Sequence, residues 1–350
     1  MKVAAVILAA GASARFGSPK QLARLGGRTL VERATDTARA SGLDPVVIVL
    51  PSGIPAPTGA TPVVNDDPAS GQSHSLRMGL AALGADVGMA VILLADQPTV
   101  GVETLQAILT EPDQGRPIVA ASAGGRMGPP LLIRREAFAL ADAADGDQGL
   151  RSVLADRPEL VTSVDVGRHP PDVDTQADLE RIGERCPGCG ELYVPTGTTK
   201  THGYIGASPA CWEAFGEVLA REFANVAYGM VHRHTVDVYA VQHPGRDGRR
   251  EWQSVAVHLI ALCHWLDHGL TAPQLNPVTQ TLASSKADWP WLTPPDGYPL
   301  TVADVLRATS GQEHVRLVGE WAASVWEAWS AHHDLVRRWA ADALAGAPGG

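Results

Sequence analysis

The chain is poor in cysteine, lacks Trp and Tyr over its first half, carries no surplus of positive charge and has no long apolar run. Four Cys in 350 residues are too few for a secreted disulfide scaffold. All four fall at position 186 or later, two of them in a Cys-x-x-Cys, which points to a reducing, cytoplasmic setting and a metal-ligand pattern. Every apolar run is interrupted by Arg, Asp or Gly well before the roughly 18 residues that a transmembrane helix needs, so no membrane is expected as a partner. Net charge is −10, with 16 Lys+Arg against 22 Asp+Glu up to Glu184 and 12 against 16 beyond it. Neither part offers the basic surface that nucleic acid demands, so no nucleic acid is expected either. All nine Trp and all five Tyr lie beyond residue 190. A chain of this length, 45% hydrophobic and 19% charged, suits two globular domains. The aromatic skew sets the seam near residue 185, giving domains 1–184 and 185–350.

Lys2, the apolar residues 3–10 and Ala12-Ser13-Ala14 imitate a short export signal with a small-residue cleavage site. The same residues read equally as a strand, Val3-Ala4-Ala5-Val6-Ile7-Leu8, buried on both faces of a parallel sheet and ending in a loop. That loop continues Ala9-Ala10-Gly11-Ala12-Ser13-Ala14-Arg15-Phe16-Gly17-Ser18-Pro19-Lys20. Its small residues let backbone N–H groups approach a phosphate, while Arg15 and Lys20 supply fixed positive charge for a triphosphate. Neither the Walker spacing nor the Gly-x-Gly-x-x-Gly fingerprint is present. Strands are expected at 45–50, 90–94 and 117–120, with helices at 29–40 and 73–83, an alternation that fits a doubly wound α/β sheet. Ligands of such sheets gather at the carboxyl ends of the strands. Asp96, in Ala95-Asp96-Gln97-Pro98, stands there, either as a Mg²⁺ ligand or as a turn-forming cap before Thr99.

Together the strand, the loop, the Asp-Gln-Pro, the run Gly146-Asp147-Gln148-Gly149-Leu150-Arg151 and the run Asp172-Val173-Asp174-Thr175-Gln176-Ala177-Asp178 resemble the MobA-like nucleotidyltransferases of molybdenum cofactor synthesis. The resemblance covers residues 1–184 and displaces the export-signal reading. It implies a Rossmann-like α/β domain in which Leu8, Ala9, Ala10, Gly11, Ser13, Arg15 and Lys20 bind the triphosphate. Asn65, Gly71, Ser73 and Ser75 would approach base and ribose. Asp96 and Asp174 would hold Mg²⁺, and Gly146, Asp147 and Arg151 would face the acceptor. Lys20, Arg15 and Asp96 are the implied catalytic groups. Bland alternatives stand beside these roles: Asp174 or Asp178 as a helix cap, and Arg151 paired with Asp147. Leu-Ala-Ala-Gly, with Ala10 where the guanylyl branch has Gly, is similar to the cytidylyl branch and implies CTP as donor and molybdopterin as acceptor. A molybdoenzyme or its maturation chaperone is a further implied partner. Gly128-Pro129-Pro130 and Asn65-Asp66-Asp67-Pro68 depart from the family pattern and bear on the acceptor. Another nucleotide or another small phosphorylated acceptor is the alternative.

Beyond Glu184 the chemistry changes. Cys186-Pro187-Gly188-Cys189-Gly190 looks like half of a zinc knuckle, and zinc on Cys186, Cys189, Cys211 and one His stands level with a reduced, unliganded turn. Ser208 before Pro209 caps one expected helix, and further helices are expected near 227–243 and 252–268. Thr301 with Asp304 and Ser310 with Glu313 read as capping boxes, the second opening a helix that runs through Trp329 and onward. This gives a mainly α-helical domain. His232 and His243 are about 16 Å apart along one helix, too far to chelate one ion together. His264 and His268, one turn apart, have chelating spacing, with core packing the alternative. The region also resembles a bacterial domain of unknown function, which leaves open a metal-binding, cofactor-delivering module.

Overall fold

Lys2–Leu8 forms strand β1, and its side chains divide between the two faces of a sheet. Ala4, Val6 and Leu8 pack with Leu76, Leu80 and Leu154 on one side, while Ala5 and Ile7 pack with Val31, Leu105 and Ile108 on the other. Burial on both faces is why the run shows no polar alternation. The structure, a computed structural model, describes residues 2–112, 114–143, 150–195, 199–246, 248–285 and 287–345, with residues 151–153 described by backbone alone. The chain divides into two compact units, Met1–Arg24 with Arg28–Ile182 and Leu25–Gly27 with Gly183–Gly350.

In the first unit, β1 pairs in parallel with β2 (Val46–Pro51) and β4 (Val87–Leu94), and β2 pairs in parallel with β3 (Thr61–Asn65). Beyond β4 the sheet turns mixed. Strand β6 (Arg126–Arg134) runs antiparallel to both β4 and β5 (Ile118–Ala123), and β7 (Val161–Asp165) closes the far edge parallel to β5. The order is β3-β2-β1-β4-β6-β5-β7. The expected α/β nucleotidyltransferase domain is observed, and its sheet is mixed, with β6 as the antiparallel member. Pro129 and Pro130 fall where the β5–β6 register shifts, between Leu131 opposite Ala120 and Gly128 opposite Ala121. Residues without a backbone N–H are tolerated there.

Helix α1 (Leu30–Ala40) begins at a capping box in which Thr29 Oγ1 accepts from the Glu32 N–H and the Glu32 carboxylate accepts from the Thr29 N–H. Helix α2 (Gly71–Ala81) starts two residues before its expected position and presses Gly79 against the centre of the sheet. A Cβ on Gly79 would fall on Val6 Cγ1 and lie 3.1 Å from Val49 Cγ2. Gly79→Ala gains about 1 kcal/mol of helix propensity. Val6 cannot retreat from the central strand, however, and overpacking costs about 1–3 kcal/mol. We expect a net loss of up to about 2 kcal/mol in urea unfolding. Helices α3 (Val102–Leu109), α4 (Arg151–Asp156) and α5 (Gln176–Ile182) complete the unit.

The second unit opens with a short hairpin, β8 (Glu184–Arg185) and β9 (Leu192–Tyr193), and continues with helices. These are α6 (Pro209–Ala224), α7 (Val226–Gly229), α8 (His232–Gln242), α9 (Arg249–His268), α10 (Ala272–Ser284), α11 (Val302–Val305), α12 (Gly311–Ala328) and α13 (His333–Leu344). Trp289, Trp321, Trp329 and Trp339 fill the shared core, and Trp321 Nε1 donates to Gln242 Oε1 at 3.1 Å. The side chain of Glu222, fully buried, is matched by His232, His314 and Thr235, whose contacts of 2.8, 2.8 and 2.6 Å account for both carboxylate oxygens.

Ser208 and the Thr301–Asp304 box cap their helices as expected. The Ser310–Glu313 box is only half formed: Ser310 Oγ accepts from the Glu313 N–H, but the Glu313 carboxylate reaches the Thr309 N–H instead. The helix it opens stops at Ala328 and does not continue through Trp329, and the expected helix at 227–243 is two helices, α7 and α8. No helix among the described residues is long and apolar enough to cross a membrane.

Candidate functional site

At the carboxyl ends of β1 and β4 the first unit holds a cavity of about 540 Å³. Leu8, Ala9, Ala10, Gly11, Ser13, Arg15, Lys20, Gly71, Ser75, Asp96 and Asp174 all line it. The loop after β1 is shaped from beneath by Gln21, which is buried and was not singled out in the sequence. Its Nε2 donates to the Ala9 and Gly11 carbonyls, each at 2.8 Å, and its Oε1 accepts from Ser13 Oγ at 3.1 Å. Ser13 Oγ in turn accepts from the Lys20 N–H at 3.0 Å, and Ser13 adopts a left-handed φ of 54°. A Leu at position 21 keeps the bulk and removes three hydrogen bonds. We expect Gln21→Leu to raise KM for the nucleotide about tenfold while changing kcat little, as steady-state kinetics would report.

The charged groups come from three separated segments. Lys20 Nζ lies 2.6 Å from Asp96 Oδ2 and 3.3 Å from Asp174 Oδ1, and it donates to the Val173 carbonyl at 3.2 Å. Arg15 Nη2 holds Asp174 Oδ2 at 2.9 Å while most of its side chain stays exposed. The Val173 N–H donates to the Asp96 carbonyl at 2.8 Å, tying the 172–175 segment to the end of β4. Gln97, the middle residue of the Asp-Gln-Pro motif, donates to Asp172 Oδ1 at 2.9 Å. Burial works against the Lys20 ammonium, yet the charges and hydrogen bonds of Asp96 and Asp174 outweigh it and hold the Lys20 pKa above its ordinary value. Burial raises the Asp96 carboxyl above the usual range, Lys20 opposes this, and the charges of Asp172 and Asp174 add to it. Crowded carboxylates make a site that favours positive charge, which Lys20 and Arg15 supply here.

Some expected residues lie elsewhere. Asn65 is buried behind the cavity, where its Nδ2 donates to Ser75 Oγ at 2.9 Å; it supports Ser75 rather than lining the space. Ser73 is likewise buried on α2 and does not line it. Asp178, the third residue of α5, completes a capping box with Thr175 and accepts from the Asp174 N–H at 3.1 Å and the Thr175 N–H at 2.8 Å, which leaves the Asp174 side chain for Lys20 and Arg15. Gly146 and Asp147 lie outside the described residues, as does the side chain of Arg151.

In the second unit the hairpin brings Cys186 and Cys189 together. The Cys186 N–H donates to the Glu191 carbonyl and the Gly190 N–H to the Cys186 carbonyl. Gly188 is required by close approach, since a Cβ there would lie 2.6 Å from both the Gly206 carbonyl oxygen and His243 Cδ2. Cys211 enters from the first turn of α6 and His243 from the end of α8. The four ligand atoms lie within 4.8 Å of one another, and all four residues are buried. Cys189 Sγ and Cys211 Sγ are 3.9 Å apart, and Cys211 Sγ and His243 Nε2 are 3.2 Å apart. Tetrahedral zinc with Zn–S bonds of about 2.3 Å sets sulfur atoms about 3.8 Å apart. His243 Nδ1 donates to the Tyr239 carbonyl at 2.8 Å, which leaves Nε2 facing the sulfurs.

Burial alone would lower the His243 pKa, but the negative charge of Cys211 and hydrogen bonds to Cys186 and Cys211 carry it up to about 10. Hydrogen bonds from Cys189 and Cys211 stabilise a thiolate on Cys186, and that arrangement raises the Cys189 thiol. Three sulfurs crowded around one imidazole therefore share protons that a divalent cation would replace. His243 is the histidine that sequence spacing did not identify. His264, by contrast, is buried in the helical core and belongs to no metal-binding group among the described residues.

Comparison with known proteins follows the same division. Residues 5–162 match the MobA-like NTP transferase domain, and residues 184–330 match a family of unknown function, DUF5946. The nicotine blue oxidoreductase of Paenarthrobacter nicotinovorans is 34% identical over 198 residues, covering 51% of this chain and 96% of that protein. The purine catabolism protein PucB of Bacillus subtilis is 33% identical over 165 residues, covering 43% of this chain and 78% of that protein. Among solved structures, Rv0371c of Mycobacterium tuberculosis is 30% identical with a TM-score of 0.46, covering 52% of this chain and 97% of that one. The chain belongs to the MobA-like NTP transferase family through its amino-terminal nucleotidyltransferase domain, and residues 184–330 beyond it match the DUF5946 model.

Proposed function

We propose that the first unit transfers CMP from CTP to the terminal phosphate of molybdopterin, releasing pyrophosphate. The observation that carries this reading is the convergence of Lys20, Asp96 and Asp174 on one cavity at the carboxyl end of the sheet. A phosphate oxygen of the acceptor attacks the α-phosphorus of CTP; the bond from that phosphorus to the bridging oxygen of the β-phosphate breaks, and pyrophosphate leaves with the electron pair. The backbone N–H groups of the loop from Ala10 to Ser13 and the Arg15 and Lys20 cations bind and orient the triphosphate, so that the protein's contribution is positioning and charge stabilisation. The carboxylates of Asp96 and Asp174 fit a divalent cation, because an ammonium already stands between them. Mg²⁺ held there would neutralise phosphate charge as a Lewis acid. Ala10, in place of a glycine, supports CTP, and the molybdopterin acceptor rests on the same motif.

Cys186, Cys189, Cys211 and His243 would hold Zn²⁺ in a closed, four-ligand structural site. No fifth position is needed, and the surrounding burial suits a folding rather than a catalytic role.

Incubation with molybdopterin and each of CTP, GTP, ATP and UTP, followed by mass spectrometry, tests the reading. It predicts a CMP adduct of molybdopterin with CTP. An adduct formed only with another nucleotide would overturn the CTP assignment, and transfer only to other phosphorylated acceptors would overturn the molybdopterin assignment. The relative named an oxidoreductase favours a second reading, in which the cavity serves a redox reaction. Under that reading no nucleotidyl adduct forms with any acceptor.

A further inference from the structure

Two carboxylate oxygens of the proposed metal site already have a cation. Lys20 Nζ is within 3.3 Å of Asp96 Oδ2, Asp174 Oδ1 and the Val173 carbonyl, and its side chain is only 14% exposed. We infer that the Lys20 ammonium occupies the divalent-cation place in the nucleotide-free protein, so that metal enters together with the nucleotide, as the phosphates draw Lys20 away. The inference rests on the nucleotidyltransferase reading of this cavity.

Charge and geometry both lead there. One set of carboxylate oxygens cannot serve an ammonium at 2.6 Å and a divalent ion at bonding distance together, because two cations that close repel strongly in a partly buried site. Arg15 holds the second oxygen of Asp174 at 2.9 Å, adding a further positive charge that opposes metal entry. A triphosphate reverses the balance, offering both Lys20 and Arg15 oxygen partners elsewhere in the cavity that they line. The movement required is small. The Lys20 backbone is fixed, its N–H donating to Ser13 Oγ and its carbonyl accepting from the Ala23 N–H. The exchange is therefore a rotation of the four-carbon stem, which passes over Gly11, where even a Cβ would clear Lys20 Cε at 3.8 Å. Lysine suits this role, being a compact point charge on a flexible stem.

The test uses Mn²⁺ alone, titrated into the full chain with no nucleotide and followed by electron paramagnetic resonance, for the wild type and for Lys20→Met. The inference predicts that Lys20→Met binds Mn²⁺ at least tenfold more tightly than the wild type. Lys20→Gln, similar in length and still polar, should show the same direction and stands in if the Met variant folds poorly by circular dichroism. Equal affinity of wild type and folded variants would overturn the inference. Adding Asp96→Asn to Lys20→Met identifies which idea has failed. Loss of the tight binding supports the inference, whereas tight binding that survives Asp96→Asn means that the ion sits elsewhere and removes the proposed metal ligand itself.

Discussion

Asp96→Ala is expected to lower acceptor-dependent pyrophosphate release by at least about 10²–10³-fold, the usual cost of removing one preorganised charged group from a transferring phosphate. The effect arises at two places. Asp96 is the closer of the two carboxylates on Lys20, at 2.6 Å against 3.3 Å for Asp174. It is also the carboxylate that burial most disfavours, so its ionised form depends on the cations around it. Without it, Lys20 retains Asp174 and the Val173 carbonyl, and the backbone link from the Val173 N–H to residue 96 is untouched. The circular dichroism spectrum should therefore be unchanged, and the loss should appear in kcat more than in nucleotide KM. Turnover like that of the wild type would remove Asp96 from the mechanism. Asp96→Asn separates charge from shape: it keeps the volume and should be nearly as impaired.

The second large effect belongs to the cysteine cluster. Cys211→Ser is expected to abolish stoichiometric zinc, read by elemental analysis of the purified full chain, and to lower the unfolding temperature of the second unit by about 10 °C or more. Structural zinc in small domains contributes apparent binding energies of about 10–16 kcal/mol, comparable with the whole stability of a domain. Cys211 is the member whose sulfur approaches both Cys189 and His243. It also joins the hairpin to the start of α6, so its loss leaves the first turns of two elements without their common anchor. Lower pH should release zinc from the wild type, because three thiolates and one imidazole must take up protons as the metal leaves. Zinc retained at one equivalent in Cys211→Ser would contradict the ligand set.

How much of this was legible in the sequence depended on whether the signal was local. The β1 run, the loop through Lys20 and the strand-end Asp96 are each contiguous, and all are in place at one cavity. Strands β3, β6 and β7 were not foreseen. Strand β3 is a mostly exposed edge strand containing Pro62, β6 contains Pro129 and Pro130, and β7 is short and polar, so none carries the apolar run that marks a central strand. Helix α10 was hidden by Pro277 within it and α13 by the break after Trp329.

The site shows the same limit. Gln21 looks like any surface glutamine until the fold turns its amide beneath Ala9 and Gly11. Asn65 and Ser73 match motif positions expected near the base and ribose, yet Asn65, at the end of β3, and Ser73, on α2, are both buried and do not line the cavity. His243 lies 32 residues from Cys211, a separation over which spacing carries no information. Along α8 its spacing pairs it only with His232, too far away to share an ion. The helical packing that joins them is tertiary, and only the folded chain reveals it.

The central claim, that this cavity performs nucleotidyl transfer, is tested most directly by supplying the full chain and Mg²⁺ with molybdopterin and CTP labelled separately in the α- and γ-phosphates. The account predicts that the α label appears in the acceptor product and the γ label in pyrophosphate, in equal amounts. Transfer of the γ label to the acceptor, or acceptor consumption with both labels left in intact CTP, would contradict it.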